Sequence, residues 1–581
     1  MTKQLALALC LCLLAACQSE TPPPAPPASA APEVPAATNT EGETKVPASP
    51  ATTAAISSAD LAAHIQIIAS DEFAGRQPGG PGERKTVAYL TQEFKRLGLA
   101  PGNGDSYVQA VPMAEVTSEM SAPAQIALPD GTALALQPST DIVVQTLRTD
   151  PSVEVKDSEL VFAGFGVNAP ELGWNDYAGL DVKGKTVVVL VNDPGFETGN
   201  AELFRGKAMT YYGRWTYKYE EALRQGAAAA LIVHDTAGAA YGWDVVQSSF
   251  TGAEFDLAPV PGQAPPLPLR GWITSEAATQ LFAKLGKDFA ALRLAANQPG
   301  FKGEALGAKI SMAVQSRVRT AESDNVVAKI VGSERPDEVI IYTAHWDHLG
   351  RTFGTPGDGI FNGAVDNATG VAAMLELAEA FMAAPEKPKR TLMFLAVTLE
   401  ESGLLGSKYY TLNPLMPLAQ TVATVNMDAM PVIGKTRDIV VIGYGNSELE
   451  ELLKVEAAAQ GRIVVPEPTP ENGFYYRSDH FNFAIAGVPS LYAKAGIDHV
   501  DKGEAYGRET AADYVKNRYH KPGDHYDPSW DLSGTVQDLE LFYALSLKLA
   551  QDQSWPNWYP GTEFRAARDA QRPATGVAGA P

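Results

Sequence analysis

The sequence predicts an α/β fold whose mostly parallel mixed sheet is flanked by helices. From about Val326 onward, apolar runs of strand length alternate with longer segments that have helical spacing. This alternation favours parallel strands joined by crossover helices. The predicted strands are 339–343, 392–397, 422–426, 439–442 and 488–492, and the predicted helices are 370–382, 447–460 and 535–550.

Residues upstream of this alternation predict further elements. Ser58 and Asp60 are candidate caps of a helix that ends at Ile68, and helical spacing over 82–97 is closed by Gly98. From about 158 the pattern changes to apolar runs that are typical of strands at 160–162, 186–191 and 227–233, with one helical segment at 217–225.

Composition and charge narrow the class of protein. A chain of 581 residues is too long for one ordinary domain, and an apolar content of 45% fits a globular protein. The net charge of −22 is the opposite of the basic surface that nucleic-acid binding requires, so nucleic acid is excluded as a partner.

The N-terminus predicts export. Lys3 precedes an apolar run over 5–16, which is too short to cross a bilayer and is typical of a signal-peptide core. The run ends in Leu-Ala-Ala-Cys17, which resembles the lipobox of bacterial lipoproteins and implies a lipid on Cys17; an ordinary signal peptide is the alternative. Gln18 after the cysteine favours the outer membrane, facing the periplasm or the cell exterior. The membrane is then a partner only through this anchor.

The cysteine count limits the chemistry of any metal site. Cys10 and Cys12 lie in the segment that export would remove, and Cys17 would carry the lipid. No cysteine remains for a disulfide, a thiolate ligand or a thiol nucleophile. A metal in this protein must therefore be held by nitrogen and oxygen ligands.

Ligand-type side chains stand where the predicted strands end. His345 ends one apolar run and Asp428 ends another, Glu400 and Glu401 follow a third, and Asp366 lies in a glycine-flanked loop before a helix. Ligands of open α/β sheets gather outside the carboxyl ends of the strands. These residues supply the ligands for divalent cations and leave one glutamate over as a general base. The sequence therefore predicts a two-metal hydrolase.

A second histidine ligand is offered by His520, which follows Tyr519. An isolated histidine is more often structural than catalytic, and the remaining ones are interpreted in that way. They are His64, His234, His348, His480, His499 and His525.

These motifs together resemble the zinc-dependent aminopeptidase family. This family includes secreted bacterial leucine aminopeptidases, the yeast vacuolar aminopeptidase and glutamate carboxypeptidase-like relatives. The matching segments are Ala-His345-Trp-Asp347-His-Leu-Gly350, Gly363-Ala-Val-Asp366-Asn-Ala-Thr-Gly370, Leu-Glu400-Glu401-Ser-Gly-Leu-Leu-Gly-Ser407, Asn426-Met-Asp428, Arg477-Ser-Asp-His480 and Tyr519-His520.

The resemblance implies a role for each matched residue. His345 and Asp428 would hold one zinc ion, Glu401 and His520 the other, and Asp366 would bridge them. Mn²⁺ or Co²⁺ are substitutes for such ligands. The resemblance further implies that Glu400 is the general base, that Asp347 orients His345 or shapes the site, and that Tyr519 donates a hydrogen bond to the oxyanion. Arg477 would contact the substrate, and the alternatives for Tyr519 and Arg477 are a packing aromatic and a structural ion pair.

The expected fold is zinc exopeptidase-like, with a small β-rich insert. Two stretches, 184–190 and 226–234, resemble a protease-associated domain, and a generic α/β segment is the alternative. The predicted boundaries are a signal peptide at 1–16, a lipidated, disordered Pro/Ala-rich tether at 17–56, the first part of the peptidase domain at 57–150, the insert at 151–300, the catalytic domain at 301–555 and a C-terminal tail at 556–581.

The function expected from the resemblance is an exported di-zinc aminopeptidase that acts on peptides. A carboxypeptidase or dipeptidase of the same superfamily is the alternative within the enzyme class. A binding module that has lost catalysis is the alternative outside it, although no implied metal ligand is missing from the sequence.

Overall fold

A computed structural model describes residues 46–260, 262, 264–352 and 359–572. The predicted signal peptide and Cys17 lie outside these residues, as do the first part of the tether and the end of the tail after residue 572. No helix in the described part of the chain is both long and apolar enough to cross a membrane.

Helices α1 to α14 follow one another along the described chain. Their bounds are Ser58–Ile68, Pro81–Arg96, Trp215–Arg224, Thr236–Ala239, Trp243–Ser249, Ser275–Lys284, Phe289–Ala296, Thr369–Met382, Leu405–Leu412, Leu449–Ala459, His480–Ile485, Gly503–Asn517, Ser533–Gln551 and Arg565–Gln571.

Strands β1 to β21 are interspersed among them. Their bounds are Ala100–Pro101, Val108–Glu119, Ala124–Ala127, Ala133–Leu136, Ile142–Gln145, Ser152–Phe162, Asn168–Ala169, Trp174–Asn175, Thr186–Leu190, Ala229–Val233, Ala253–Leu257, Leu269–Ile273, Glu304–Ile330, Arg335–His345, Gly350–Arg351, Ile360–Phe361, Arg390–Val397, Thr421–Asn426, Asp438–Val441, Ile463–Pro466 and Ser490–Ala495.

The predicted mixed, mostly parallel sheet is confirmed. Strands β17, β14, β18 and β21 are neighbours in that order and run parallel. The C-terminal end of β13 pairs antiparallel with β17. Strand β19 pairs antiparallel with β21 and parallel with β20. Every residue of β17 and β18 is buried, because helices cover both faces of the sheet. The parallel strands bring their carboxyl ends to one edge.

The helices that cover this sheet match the predicted segments within a few residues. Helix α8 packs against α1 and α13, and its apolar residues belong to the main core with those of α13. Helix α1 begins at Ser58, and the Ser57 side chain caps it by accepting a hydrogen bond from the backbone N–H of Asp60 at 3.1 Å. The cap therefore lies one residue before the predicted candidates.

The chain is ordered before the predicted domain boundary at 57. The Thr52 hydroxyl donates to Glu379 on α8 at 2.6 Å, and the Gln92 amide on α2 donates to the carbonyl of Pro47 at 3.1 Å. Val46 and Ile56 pack against the main core. The described end of the predicted tether is thus attached to the catalytic sheet's helices.

A second group of strands has apolar cores of its own. Strands β6, β9, β10 and β12 are parallel neighbours, and β5 joins antiparallel at β12. Their side chains form two clusters that are separate from the main core. This arrangement includes strands before residue 151, the predicted start of the insert. The relation to a protease-associated domain stays a prediction.

Two elements carried no clear signal in the sequence. The 27-residue strand β13 pairs with β6 near Glu304 and with β17 near Ile330, so it runs from one group of strands into the other. Helix α12 buries only Gly507. A helix without an apolar stripe gives no hydrophobic periodicity to detect.

Candidate metal centre

The predicted ligands meet at the carboxyl edge of the parallel strands. His345 is the last residue of β14, Glu400 and Glu401 follow β17, and Asp428 follows β18. Asp366 lies in the turn at Ala364–Ala368 that leads into α8. Parallel strands end at the same edge of a sheet, so residues far apart in sequence converge there.

Asp366 lies between two histidines. Its Oδ1 is 3.2 Å from His345 Nε2, and its Oδ2 is 3.4 Å from His520 Nε2. Each histidine has a second carboxylate: Asp428 Oδ1 lies 3.4 Å from His345 Nε2, and Glu401 Oε2 lies 3.1 Å from His520 Nε2. The five side chains thus form two ligand groups that share one carboxylate.

The spacing of these atoms fits zinc. Two donors held about 2.0–2.1 Å from one tetrahedral zinc ion lie about 3.3 Å apart. The four distances within the two groups span 3.1 to 3.4 Å. The donors are imidazole nitrogens and carboxylate oxygens, which zinc accepts. His345, Asp366 and Asp428 also form a compact group whose ligand atoms all lie within 4.8 Å of one another.

The Asp366 backbone is held by a residue that the sequence analysis did not identify. The two carboxylate oxygens of Asp524, which is fully buried, each accept a backbone N–H at 3.0 Å, one from Val365 and one from Asp366. The peptide bond between Asp366 and Asn367 is cis. Asp524 therefore fixes the backbone from which the Asp366 side chain extends.

The Asp347 carboxylate contacts the backbone of both glutamates. Its Oδ1 accepts the backbone N–H of Glu400 at 3.1 Å, and its Oδ2 lies 3.4 Å from the backbone N–H of Glu401. His345 Nδ1 is 3.2 Å from the main-chain oxygen of Asp347 and 3.9 Å from its Oδ1. Burial raises the pKa of Asp347 to about 6, against the opposing effect of His345. The Asp347 carboxylate therefore contacts the backbone of Glu400 and Glu401 more closely than it contacts the His345 ring.

Glu400 stands beside the ligand groups. Its Oε2 lies 4.0 Å from His345 Nε2. Burial raises the pKa of Glu400 well above its ordinary value; His345 opposes this, and Glu401 and Asp428 add to it. A carboxyl group of raised pKa is suited to accept and return a proton.

The charge of the site favours cations. Burial disfavours the charged form of His520, yet hydrogen bonds to Asp366 and Glu401 outweigh it and raise its pKa to about 10. Carboxylates therefore dominate the local field, and a divalent cation would neutralise them.

A buried arginine lies beneath the centre and was also not identified from sequence. The Arg76 guanidinium donates to four backbone carbonyls, at 2.6 to 3.0 Å. Burial lowers its pKa to about 10, while Asp524 and Asp366 oppose that shift. Arg76 joins the loop after β14 to the loop before Asp366. The acceptors are the carbonyls of Ile68, Trp346, Asn362 and Gly363.

Tyr519 and Arg477 lie at the rim. The Tyr519 ring stacks on His520 with ring centroids 3.9 Å apart, and its side chain is partly exposed. Burial, reinforced by Asp366 and Glu401, raises the pKa of its hydroxyl. Arg477 is exposed, lies over the Phe474 ring at 5.5 Å and forms no ion pair with any described residue. The oxyanion contact of Tyr519 and the substrate contact of Arg477 stay predictions.

His348, interpreted from sequence as structural, contacts the centre directly. Its Nδ1 lies 2.5 Å from Glu401 Oε1. His348, Asp366 and Glu401 also form a group whose ligand atoms lie within 4.8 Å of one another. A separation of 2.5 Å is a hydrogen bond and is shorter than the spacing of two ligands on one zinc ion. His520 is therefore the better ligand beside Glu401.

Comparison with known proteins gives one family for this region. Residues 325–544 match the sequence model of Peptidase family M28. Aminopeptidase NAALADL1 of Mus musculus is 31% identical over 138 residues, which are 22% of this chain and 17% of that protein. A probable zinc metalloprotease of Pyrenophora tritici-repentis is 30% identical over 209 residues, which are 35% of this chain and 38% of that protein. The chain thus spans well under half the length of these relatives.

One solved structure aligns with a larger share of the chain. The aminopeptidase from Aneurinibacillus sp. strain AM-1 aligns with 86% of this chain and 95% of its own, at 20% identity and a TM-score of 0.45.

Proposed function

We propose that this chain, whose residues 325–544 match the sequence model of Peptidase family M28, is a di-zinc aminopeptidase that removes N-terminal residues from peptides. The observation that carries the proposal is the shared carboxylate of Asp366. Its two oxygens face His345 and His520 separately, and each histidine has one further carboxylate beside it. His345, Asp366 and Asp428 would hold one ion, and Asp366, Glu401 and His520 the other.

The chemistry divides between the ions and the protein. Bound zinc supplies a Lewis acid for the scissile carbonyl and lowers the pKa of water. Glu400 is the residue that is left free of the two ligand groups. It accepts the proton of the attacking water as the new C–O bond forms and the carbonyl oxygen becomes an oxyanion. It then passes the proton to the leaving amine as the oxyanion collapses and the amide C–N bond breaks. Asp347 holds the backbone N–H of Glu400 and thereby keeps its carboxylate in place.

Recognition of the substrate uses the same charges. An acidic site attracts the free α-amine of a peptide. The Tyr519 ring stacks on His520, and its hydroxyl would donate to the developing oxyanion, a contact typically worth about 3 kcal/mol.

The test is hydrolysis of paired peptides by zinc-loaded protein. Peptides that differ only in a free or acetylated N-terminus are incubated with the protein, and the released residues are identified by mass. Release of the first residue from free N-termini alone is the expected result. Cleavage that ignores acetylation would contradict an aminopeptidase.

A second candidate, a carboxypeptidase or dipeptidase, is favoured by one observation. Arg214 has a buried Nε without a hydrogen-bond partner among the described residues. Burial and the nearby charge of Arg477 lower the pKa of Arg214 to about 10. Arg477 precedes Ser478, whose hydroxyl donates to Asp428 Oδ2 at 2.6 Å. Arg477 at the rim and the nearby Arg214 form no ion pair with an acidic residue in the described part of the chain, and such a pair of arginines would suit a C-terminal carboxylate. Peptides amidated at the C-terminus would lose hydrolysis in that case.

Export and lipid attachment at Cys17 belong to the same proposal. The apolar run and the lipobox-like residues before Cys17 support them. Replacing Cys17 by Ser should release the protein from the membrane fraction of cells that express the full chain. A variant that stays in that fraction would contradict the lipid anchor.

A further inference from the structure

We propose that His348 is a positioning residue that aligns Glu401 for the ion held with His520. The inference rests on the proposed two-ion function. Glu401 uses its two oxygens differently: Oε1 lies 2.5 Å from His348 Nδ1, and Oε2 lies 3.1 Å from His520 Nε2. An ionised carboxylate only accepts hydrogen bonds, so the imidazole N–H is the donor. Oε1 thereby accepts the His348 N–H, and Oε2 is the oxygen that would bind the ion.

The His348 ring is fixed by its surroundings. It is buried, and it packs edge-on against the His520 ring with centroids 5.9 Å apart. A Cβ at Gly363 would lie 2.6 Å from the His348 ring, and Gly363 has a φ of 54°, so only glycine fits beside it. His348 therefore contacts both protein ligands that are specific to the second ion.

A role as a ligand is the competing interpretation. His348 Nδ1 already bonds Glu401 Oε1 at hydrogen-bond length, and its Nε2 is buried with no hydrogen-bond partner among the described residues. Histidine and carboxylate ligands are commonly oriented by partners of this kind, and losing one typically costs about 10–100-fold in metal affinity or activity. The effect should fall on one ion, because His345 and Asp428 lie in the other group.

Three variants test the inference. His348→Leu removes the donor but fills the space, whereas His348→Asn can place an amide N–H near the position of Nδ1. His64→Leu is the matched control, because His64 is also buried, has its Nδ1 bonded to the Tyr89 hydroxyl at 2.7 Å and has an unpartnered Nε2 among the described residues. The readouts are zinc stoichiometry and affinity by chelator competition, and thermal unfolding of the metal-free proteins.

The expected result is selective loss of one ion. His348→Leu should bind the second zinc ion about 10–100-fold more weakly and the first normally. His348→Asn should recover most of that loss, and His64→Leu should lose stability without losing zinc affinity. Wild-type affinity for both ions in His348→Leu would overturn the inference. Equal loss in the Asn and Leu variants would assign His348 as a ligand instead. Wild-type protein that binds one zinc ion would contradict the proposed function itself.

Discussion

At the scale of single residues, the candidate centre contains groups that would bind the proposed ions and other groups that would position these ligands. Glu400 stands next to the ligands without belonging to either ligand group. Asp347 and Asp524 bind backbone N–H groups and reach the ions only through other residues. The two kinds of residue therefore predict different mutant phenotypes.

Replacing Glu400 by Gln should remove turnover and leave the zinc content unchanged. The amide cannot accept the proton of water, and general-base catalysis typically contributes about 10²–10⁴-fold to the rate. Steady-state hydrolysis and metal analysis of the same preparation measure the two properties. A variant that keeps full activity would refute the assignment of the base.

Replacing Asp524 by Asn should weaken zinc binding and lower stability by about 1–3 kcal/mol. Asp524 accepts two backbone N–H groups, and an amide has only one oxygen, so one buried N–H loses its partner. Zinc titration and denaturant unfolding measure these losses. Asp527→Asn, at a more exposed position in the same loop, is the control and should change neither. Normal zinc affinity in Asp524→Asn would show that Asp366 does not depend on this contact.

At the scale of secondary-structure elements, the contact between α1 and α8 contains a buried carboxyl group whose pKa is raised. Glu376 on α8 is buried and accepts the backbone N–H of Ser57 at 3.1 Å. Burial raises its pKa from 4.5 to about 8, and Asp60 and Glu379 add to this shift while the Ser57 N–H and Arg96 oppose it. The folded protein therefore retains a proton that the unfolded chain releases.

This shift predicts the pH dependence of stability. The contribution of Glu376 is complete below its unfolded pKa of 4.5 and is lost as the pH rises towards its folded pKa of about 8. A folded-state pKa that lies one pH unit above the unfolded-state pKa corresponds to about 1.4 kcal/mol, so the loss is on the order of a few kcal/mol. Glu376→Gln should flatten the slope of unfolding free energy between about pH 5 and about 8.

Denaturant unfolding of wild type and variant at several pH values measures this slope. Glu386→Gln, on the exposed loop after α8, is the control and should keep the wild-type slope. Parallel slopes in Glu376→Gln and the wild type would refute the role of Glu376.

At the scale of the whole molecule, the candidate metal centre joins elements that are distant along the chain. Its candidate ligands come from β14, from the turn before α8, from the ends of β17 and β18 and from the segment after α12. Without cations their carboxylates repel one another, and Arg76 is a buried positive group beneath them. Ions that bind only the folded chain stabilise it by mass action.

Zinc should therefore raise the temperature of unfolding. At free zinc of about 100 times the dissociation constant, the gain per site is about 2.7 kcal/mol. Calorimetry of chelated and zinc-loaded protein measures the gain, and magnesium at equal concentration is the control because it prefers oxygen ligands. Equal unfolding temperatures for loaded and chelated protein would contradict binding at this centre.

The positions along the chain of the strands in the catalytic sheet and of the ligand-type residues were readable from the sequence. His345 and Asp428 follow apolar runs that can only be buried strands, and this local pattern survives folding. The residues that position the ligands were not readable. His348 lies within the motif that contains His345, but the motif does not show its contact with Glu401, which is 53 residues away. Asp524 and Arg76 lie in no matched segment, and their partners are 158 and 286 residues away.

What the sequence by itself determined is the fold class and the chemical kind of site, because burial periodicity and ligand chemistry belong to each segment alone. Only the tertiary structure decided that one Glu401 oxygen contacts His348 and the other contacts His520, and that Asp524 accepts the backbone N–H of Asp366. Those contacts form only when the strands and loops converge at one edge of the sheet. Their energy depends on distances of a few tenths of an ångström, and local sequence patterns do not encode such distances.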